Sequence, residues 1–156
     1  AVLHIGAEET VLVAGDSLDV PATLTMAIGA QRTAREFFKR SVPSPLELEN
    51  AIATVEDEVM RARALVQARP RLYTMDTAIR SIAILSGVTA GAAMELSIDA
   101  LERTFDRLTA VALGRPASHE GLPEDKLFAA TLLILRELMH HLQFAAIHYV
   151  DLPDQA

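Results

Sequence analysis

The run LFAATLLIL at residues 127–135 carries no charge over nine positions, and the helical pattern around it, from near Pro123 through Leu142, is apolar almost all the way round. Such a helix has no face to give to water, so it has to lie between other elements. Nine residues fall far short of the roughly 20 that a membrane-spanning helix needs. The chain is therefore expected to fold in layers around a buried helix. Its 156 residues make one domain, 1–156, long enough to bury a real core.

What surrounds that helix is legible from the change of period along the chain. Residues 2–5 and 10–14 are short apolar runs separated by a turn, with Gly15-Asp16 as hairpin punctuation. A third extended segment, ATLTM at residues 22–26, alternates Leu24 and Met26 with threonines. Together the three predict an antiparallel meander. From Gly29 the pattern becomes helical and stops before the breaker SVPSP. Ser44-Pro45-Leu46-Glu47 is a capping box with proline at the first helical position, which fixes a helix start. Leu48, Ile52, Val55, Val59, Ala62 and Val66 then form one stripe on a helix expected to run to Arg69-Pro70. RLYT at residues 71–74 reads as a strand, followed by a helix around Ala78, Ile79, Ile82 and Leu85 that ends at Gly87. Ser97 caps a helix bearing Leu101, Phe105, Leu108 and Ala112, the apolar helix follows, and AAIHYV at residues 145–150 is the last strand. The expected order is β-β-β-α-β-α-β with an added helical insertion before the final strand.

Composition narrows the function classes. A net charge of −7 with no lysine or arginine cluster supplies no basic footprint for nucleic acid or an anionic membrane. No cysteine is present, so disulfides, thiolate nucleophiles and cysteine zinc sites are ruled out, and a reducing cytoplasm is compatible. The chain opens at Ala1 directly on a strand, and the expectation is a fragment or a processed product.

The candidate chemistry lies in the first turn. His4-Ile5-Gly6-Ala7-Glu8-Glu9-Thr10 follows a strand in the manner of a glycine-rich phosphate loop, but Glu8 and Glu9 stand where an anion-gripping loop keeps side chains out of the way. Three readings follow: a plain turn with solvated acids, a retained anion site, or a cluster of acids with His4 that binds a divalent cation such as Mg²⁺, Mn²⁺ or Ca²⁺. Elsewhere, Glu137-x-x-His140 has the spacing of a carboxylate-bridged metal motif but occurs once, whereas such sites need a second copy. His140 and His141 read as partners of a helix C-terminal dipole. The methionines read as core filler, and Asp57 with Arg61 as an i,i+4 surface pair.

The element order is that of a ribonuclease H-like or actin-like half domain, an α/β fold with a mixed sheet of about five strands and crossover helices. The chain resembles the second half of the Ppx/GppA phosphatases, the exopolyphosphatase and guanosine-pentaphosphate phosphatase group of the actin-like ATPase superfamily. The residues that carry the resemblance are HIGAEETVL against a family loop of the form DIGGGSTEL, Gly29, Ala30 and Arg32 in LTMAIGAQRTARE, the VPSPLELENAI helix start, and Thr74-Met75-Asp76-Thr77-Ala78 where the family has a second glycine loop. Two helical segments, LSIDALERTFDRLTAVAL and GLPEDKLFAATLLILREL, extend it. The family's closing turn is not recognisable in HYVDLPDQA.

That resemblance implies that Gly6, Glu8, Glu9, Thr10, Gly29, Arg32, Thr74, Asp76 and Thr77 mark two relic phosphate loops at one end of the sheet, with Glu8, Glu9 and Asp76 facing a cleft. His4 replaces the family's cation-holding aspartate, so a metal at this end would draw on His4, Glu8, Glu9 and Asp76. A carboxylate about 5 Å from a phosphate charge opposes it by about 3 kcal/mol at an effective dielectric near 20. The resemblance also places the water-activating glutamate in an N-terminal domain outside this chain. The expectations are a catalytically silent, regulatory or dimerising domain, or the C-terminal half of a phosphoanhydride hydrolase that needs its other half. The expected partner is a second copy or the missing domain.

Overall fold

A computed structural model describes residues 1–15, 20–64 and 71–152. The meander forms as expected: β1 (Val2–Ile5), β2 (Thr10–Ala14) and β3 (Ala22–Met26) pair antiparallel, Val2 opposite Val13 and Val13 opposite Thr23. Two helices follow, α1 (Ala30–Phe37) and α2 (Pro45–Met60). Next come β4 (Leu72–Thr74), α3 (Thr77–Leu85), β5 (Ala93–Ser97), α4 (Ile98–Ala112), the short α5 (Ala117–Glu120), α6 (Lys126–His141) and β6 (Ala146–Val150).

The strands make one mixed sheet in the order β3-β2-β1-β4-β6-β5. β4 runs parallel to both β1 and β6, and β5 pairs antiparallel to β6 at the edge. There are thus six strands rather than about five. The additional strand, β5, reads AMELS, whose only inward residues are Met94 and Leu96, and its last residue, Ser97, also caps α4 by accepting from the Ala100 N–H. Two apolar positions beside a strong helix cap give little strand signal.

Alternation gives the sheet two unlike faces. Leu3, Leu12, Leu72, Leu96 and Ile147 point to the helices and are buried. Thr23, Val13, Val2, Tyr73, His148 and Glu95 form one row across all six strands on the opposite face, where the Tyr73 and His148 rings lie 5.3 Å apart.

The apolar helix occupies the position its sequence demands. α6 packs against α1, α2, α3 and α4 and reaches β1. Leu132, Leu133, Ile134 and Leu135 are wholly buried along it. It begins at Lys126, later than Pro123, because Asp125 caps it by accepting from the Leu127 N–H; part of the stretch before it forms α5. The capping box on α2 is present in both directions, Ser44 Oγ accepting from the Glu47 N–H and Glu47 Oε1 from the Ser44 N–H. α2 is helical to Met60, and the expected continuation to Val66 and Arg69-Pro70 lies outside the described residues. Arg61 pairs with Glu58 at 2.8 Å rather than with Asp57, and Glu58 also accepts from the Ala27 N–H. Gly87 ends α3 at φ 97°, with the Val88 N–H closing back on the Ala83 carbonyl. Among the described residues no helix is long and apolar enough to cross a membrane.

Candidate functional site

The expected loops do meet at one end of the sheet, because β1 and β4 are parallel neighbours and their C-terminal ends emerge side by side. The register puts Leu3 beside Thr74. One step further on, the ladder is continued by a side chain: Asp76 Oδ2 accepts from the Ile5 N–H at 2.7 Å, and Asp76 Oδ1 lies 2.7 Å from His4 Nδ1. Thr74, fully buried, donates its hydroxyl to the Leu3 carbonyl and accepts from the Asp76 N–H. Asp76 stands at the N-cap of α3 without capping it by its side chain, since that carboxylate is engaged on β1. A carboxylate at a helix N-terminus occupies the ground an incoming anion would use.

The β1–β2 turn is closed by its own backbone and by α1. The Gly6 N–H donates to the Glu9 carbonyl, and the Gly6 and Ala7 carbonyls accept from the Ala30 and Arg32 N–H groups at 2.9 and 3.0 Å. Those are N–H groups of α1's first turn, the kind a phosphate loop turns toward its ligand. The approach is so close that a Cβ on Gly29 would lie 2.4 Å from the Ala7 carbonyl oxygen. Gly29 keeps extended backbone at φ −161°, so its role is space and not dihedral freedom. Thr10 spends its hydroxyl proton on the Ile28 carbonyl at 2.9 Å.

The acids of the turn are treated differently from one another. Glu8 is held by Arg35 in a two-point pair, both N–O distances 2.9 Å, on the exposed surface. The Arg35 hydrogen bond is the main reason the Glu8 carboxyl sits below its ordinary value; desolvation opposes it, and the Arg35 and Arg32 charges add lesser pulls downward. Arg35 is correspondingly pushed up by Glu8. Glu9 is exposed, Arg32 pairs with Glu36 at 3.3 Å, and Thr77 is exposed at the start of α3. Of the residues expected to hold a metal, His4 and Asp76 come together, whereas Glu8 goes to Arg35. Sequence reasoning missed Arg35; the signal for it was its place on the helix that begins at Gly29, one turn beyond Arg32.

Among the described residues, the group of three histidine or carboxylate donors that converges within 4.8 Å is elsewhere, on the seam of α2 and α6: Glu56, Glu137 and His141. Glu137 Oε2 lies 2.9 Å from His141 Nε2, which is 3.8 Å from Glu56 Oε1. Glu137 is only 2% exposed. Arg136 donates to its other oxygen at 2.7 Å while its Nε faces Glu102 at 3.1 Å. The residue that meets Glu137 is therefore His141, one turn on, and not His140, whose Nδ1 lies 3.9 Å from Glu102. Both histidines answer to carboxylates of facing helices, beyond any pairing with the helix dipole.

Six strands of this order, an antiparallel meander followed by the parallel β4 and β6 with an antiparallel β5 at the edge, define the class of fold expected from the sequence. The comparison with solved structures agrees. The chain superposes on a Ppx/GppA phosphatase from Aquifex aeolicus with a TM-score of 0.72 at 16% identity, covering 96% of this chain and 52% of that one. An exopolyphosphatase-like protein matches with a TM-score of 0.72 at 14% identity over 55% of its length, and an exopolyphosphatase from Cytophaga hutchinsonii with a TM-score of 0.71 at 11% identity over 52%. No protein-family model matches the sequence, and no curated protein does. The chain spans about half the length of these structures and shares their fold.

Proposed function

We propose that this domain is a catalytically silent, regulatory half of a Ppx/GppA-like assembly, one that keeps the scaffold of a phosphate-binding domain without gripping phosphate. The observation that carries this reading is the closure of the β1–β2 turn: two N–H groups of α1's first turn are spent on Gly6 and Ala7 carbonyls, and Asp76 fills the N-terminal end of α3. An anion arriving there meets carbonyl oxygens and carboxylates, and Coulomb repulsion from each carboxylate at about 5 Å is about 3 kcal/mol. The Asp76 oxygens are also engaged by His4 and the Ile5 N–H, so Mg²⁺, which wants free carboxylate oxygens in octahedral order, finds few here.

The half-length match supports a partner of the same fold, a second copy or a sister domain. The test is phosphate release from polyphosphate, guanosine pentaphosphate and ATP with Mg²⁺ present, with light scattering on the same sample. The expected result is no release above a Glu8→Ala, Glu9→Ala control, and a particle larger than one chain at micromolar concentration. Turnover clearly above that control overturns the silent reading, and a strict monomer removes the self-pairing form of the partner.

A further inference from the structure

From the α2–α6 seam we infer a metal site for one Zn²⁺-class cation, formed by Glu56 Oε1, Glu137 Oε2 and His141 Nε2. The donors are chemically right: an imidazole nitrogen with two carboxylate oxygens suits zinc and its neighbours better than Mg²⁺ or Ca²⁺, which prefer oxygen alone. Metal–ligand bonds of about 2.0–2.2 Å in a tetrahedron place ligand atoms about 3.3 Å apart. The two distances on His141 Nε2, 2.9 Å to Glu137 and 3.8 Å to Glu56, bracket that edge.

The backbone supplies the arrangement without strain on any loop. Glu137 and His141 stand one turn apart on one face of α6, and Glu56 comes from the facing α2, so three donors converge from two rigid helices.

A second observation, the charge balance of the seam, points to a cation. Glu137 is buried, and around it Glu56 and Glu102 add two more carboxylates, while among the described residues Arg136 is the one guanidinium that touches Glu137 or Glu102. Arg136 is itself pinned, stacked over the Phe105 ring at 4.5 Å and shared between Glu102 and Glu137 Oε1. Three carboxylates gather at this seam with one permanent cation, Arg136; the His141 and His140 imidazoles are their other partners, so the seam is short of fixed positive charge around a buried carboxylate. A divalent cation supplies that charge on the Oε2 side, which Arg136 leaves to His141. The Arg136 contact then holds Glu137 in the orientation a ligand needs. Glu56 and His141 are partly exposed, so a cation has an entry path and a fourth position open to water.

The experiment is titration of chelator-treated protein with zinc chloride, read by calorimetry and by thermal melting, on the unaltered chain and on Glu56→Gln, His141→Gln and His4→Ala. Glu56 is nearly half exposed, so its substitution leaves the fold intact. One saturable site is expected, with a higher melting temperature at saturation. Since outer-shell changes alone weaken metal sites about 10–100-fold, removal of a ligand in Glu56→Gln or His141→Gln should weaken binding at least about tenfold. His4→Ala should bind as the unaltered chain does. Absence of saturable binding, or equal binding in Glu56→Gln, His141→Gln and the unaltered chain, overturns the assignment.

Discussion

Two ends of the molecule handle acidic groups in opposite ways. At the sheet end, Glu8 and Glu9 lie on the surface, and the one acid drawn inward, Asp76, completes a strand ladder through the Ile5 N–H. On the α2–α6 seam a carboxylate, Glu137, is taken almost wholly out of water and paired with Arg136 and His141 of its own helix, while Glu102 of α4 and Glu56 of α2 face those same two partners. The first arrangement is local, made by a turn and the helix after it. The second exists only once three helices have packed. An acid near a glycine turn is therefore a poor guide to where charge matters most in this chain.

The largest effect that sharpens this contrast is expected from Glu137→Ala, which leaves Arg136 and His141 facing a gap; removal of one member of a buried pair costs about 3–5 kcal/mol. Denaturant unfolding of the variant reads it directly. At the other end, Asp76→Ala removes a charge-assisted bond to the Ile5 N–H in a partly buried place, and a loss of about 1.5–3 kcal/mol is expected. If Asp76→Ala cost more than Glu137→Ala, the order proposed for the two regions would be reversed.

The fold was legible where periodicity and capping agreed. The three strands of the meander, the Ser44 capping box and the Gly87 stop all appear where the residues call for them, because each is decided by neighbours within a few positions. β5 was not, since Met94 and Leu96 alone carry its pattern and its hydrogen bonds come from a strand some fifty residues later. In the same way Glu8 and Asp76 could be singled out from the sequence, whereas Arg35 as the partner of Glu8, and His141 rather than His140 as the partner of Glu137, depend on how helices face one another. Spacing along one helix places Glu137 within reach of both histidines, and the facing helices distinguish them, Glu56 of α2 lying beside His141 and Glu102 of α4 beside His140.

A smaller change tests whether the first turn is locked onto α1. Gly29→Ala puts a methyl carbon 2.4 Å from the Ala7 carbonyl oxygen, which cannot yield without moving the turn. Overpacking of this kind costs about 1–3 kcal/mol. Thermal melting should show the loss, and loss of protection at the Ala30 and Arg32 amides in hydrogen exchange should locate it. A variant as stable as the unaltered chain would mean that the turn is free to move.

The smallest effect belongs to Arg35→Ala. Glu8 lies below its ordinary value because Arg35 donates to it, so the pair contributes above the ordinary carboxylate range and is lost as pH falls through the lowered value. Both groups are exposed, and such pairs contribute little to stability. The variant should melt as the unaltered chain does at neutral pH, while the Glu8 carboxyl resonance titrates at higher pH than before. An unmoved titration would separate Glu8 from Arg35 in solution.

The most direct test of the closed turn is calorimetric titration with polyphosphate in the presence of Mg²⁺, accompanied by amide spectra of Gly6, Ala30 and Arg32. With the Ala30 and Arg32 N–H groups already bonded to the Gly6 and Ala7 carbonyls, no saturable binding is predicted and the three resonances should stay in place. Saturable binding that shifts all three would show that the turn opens to hold phosphate, and would contradict the account.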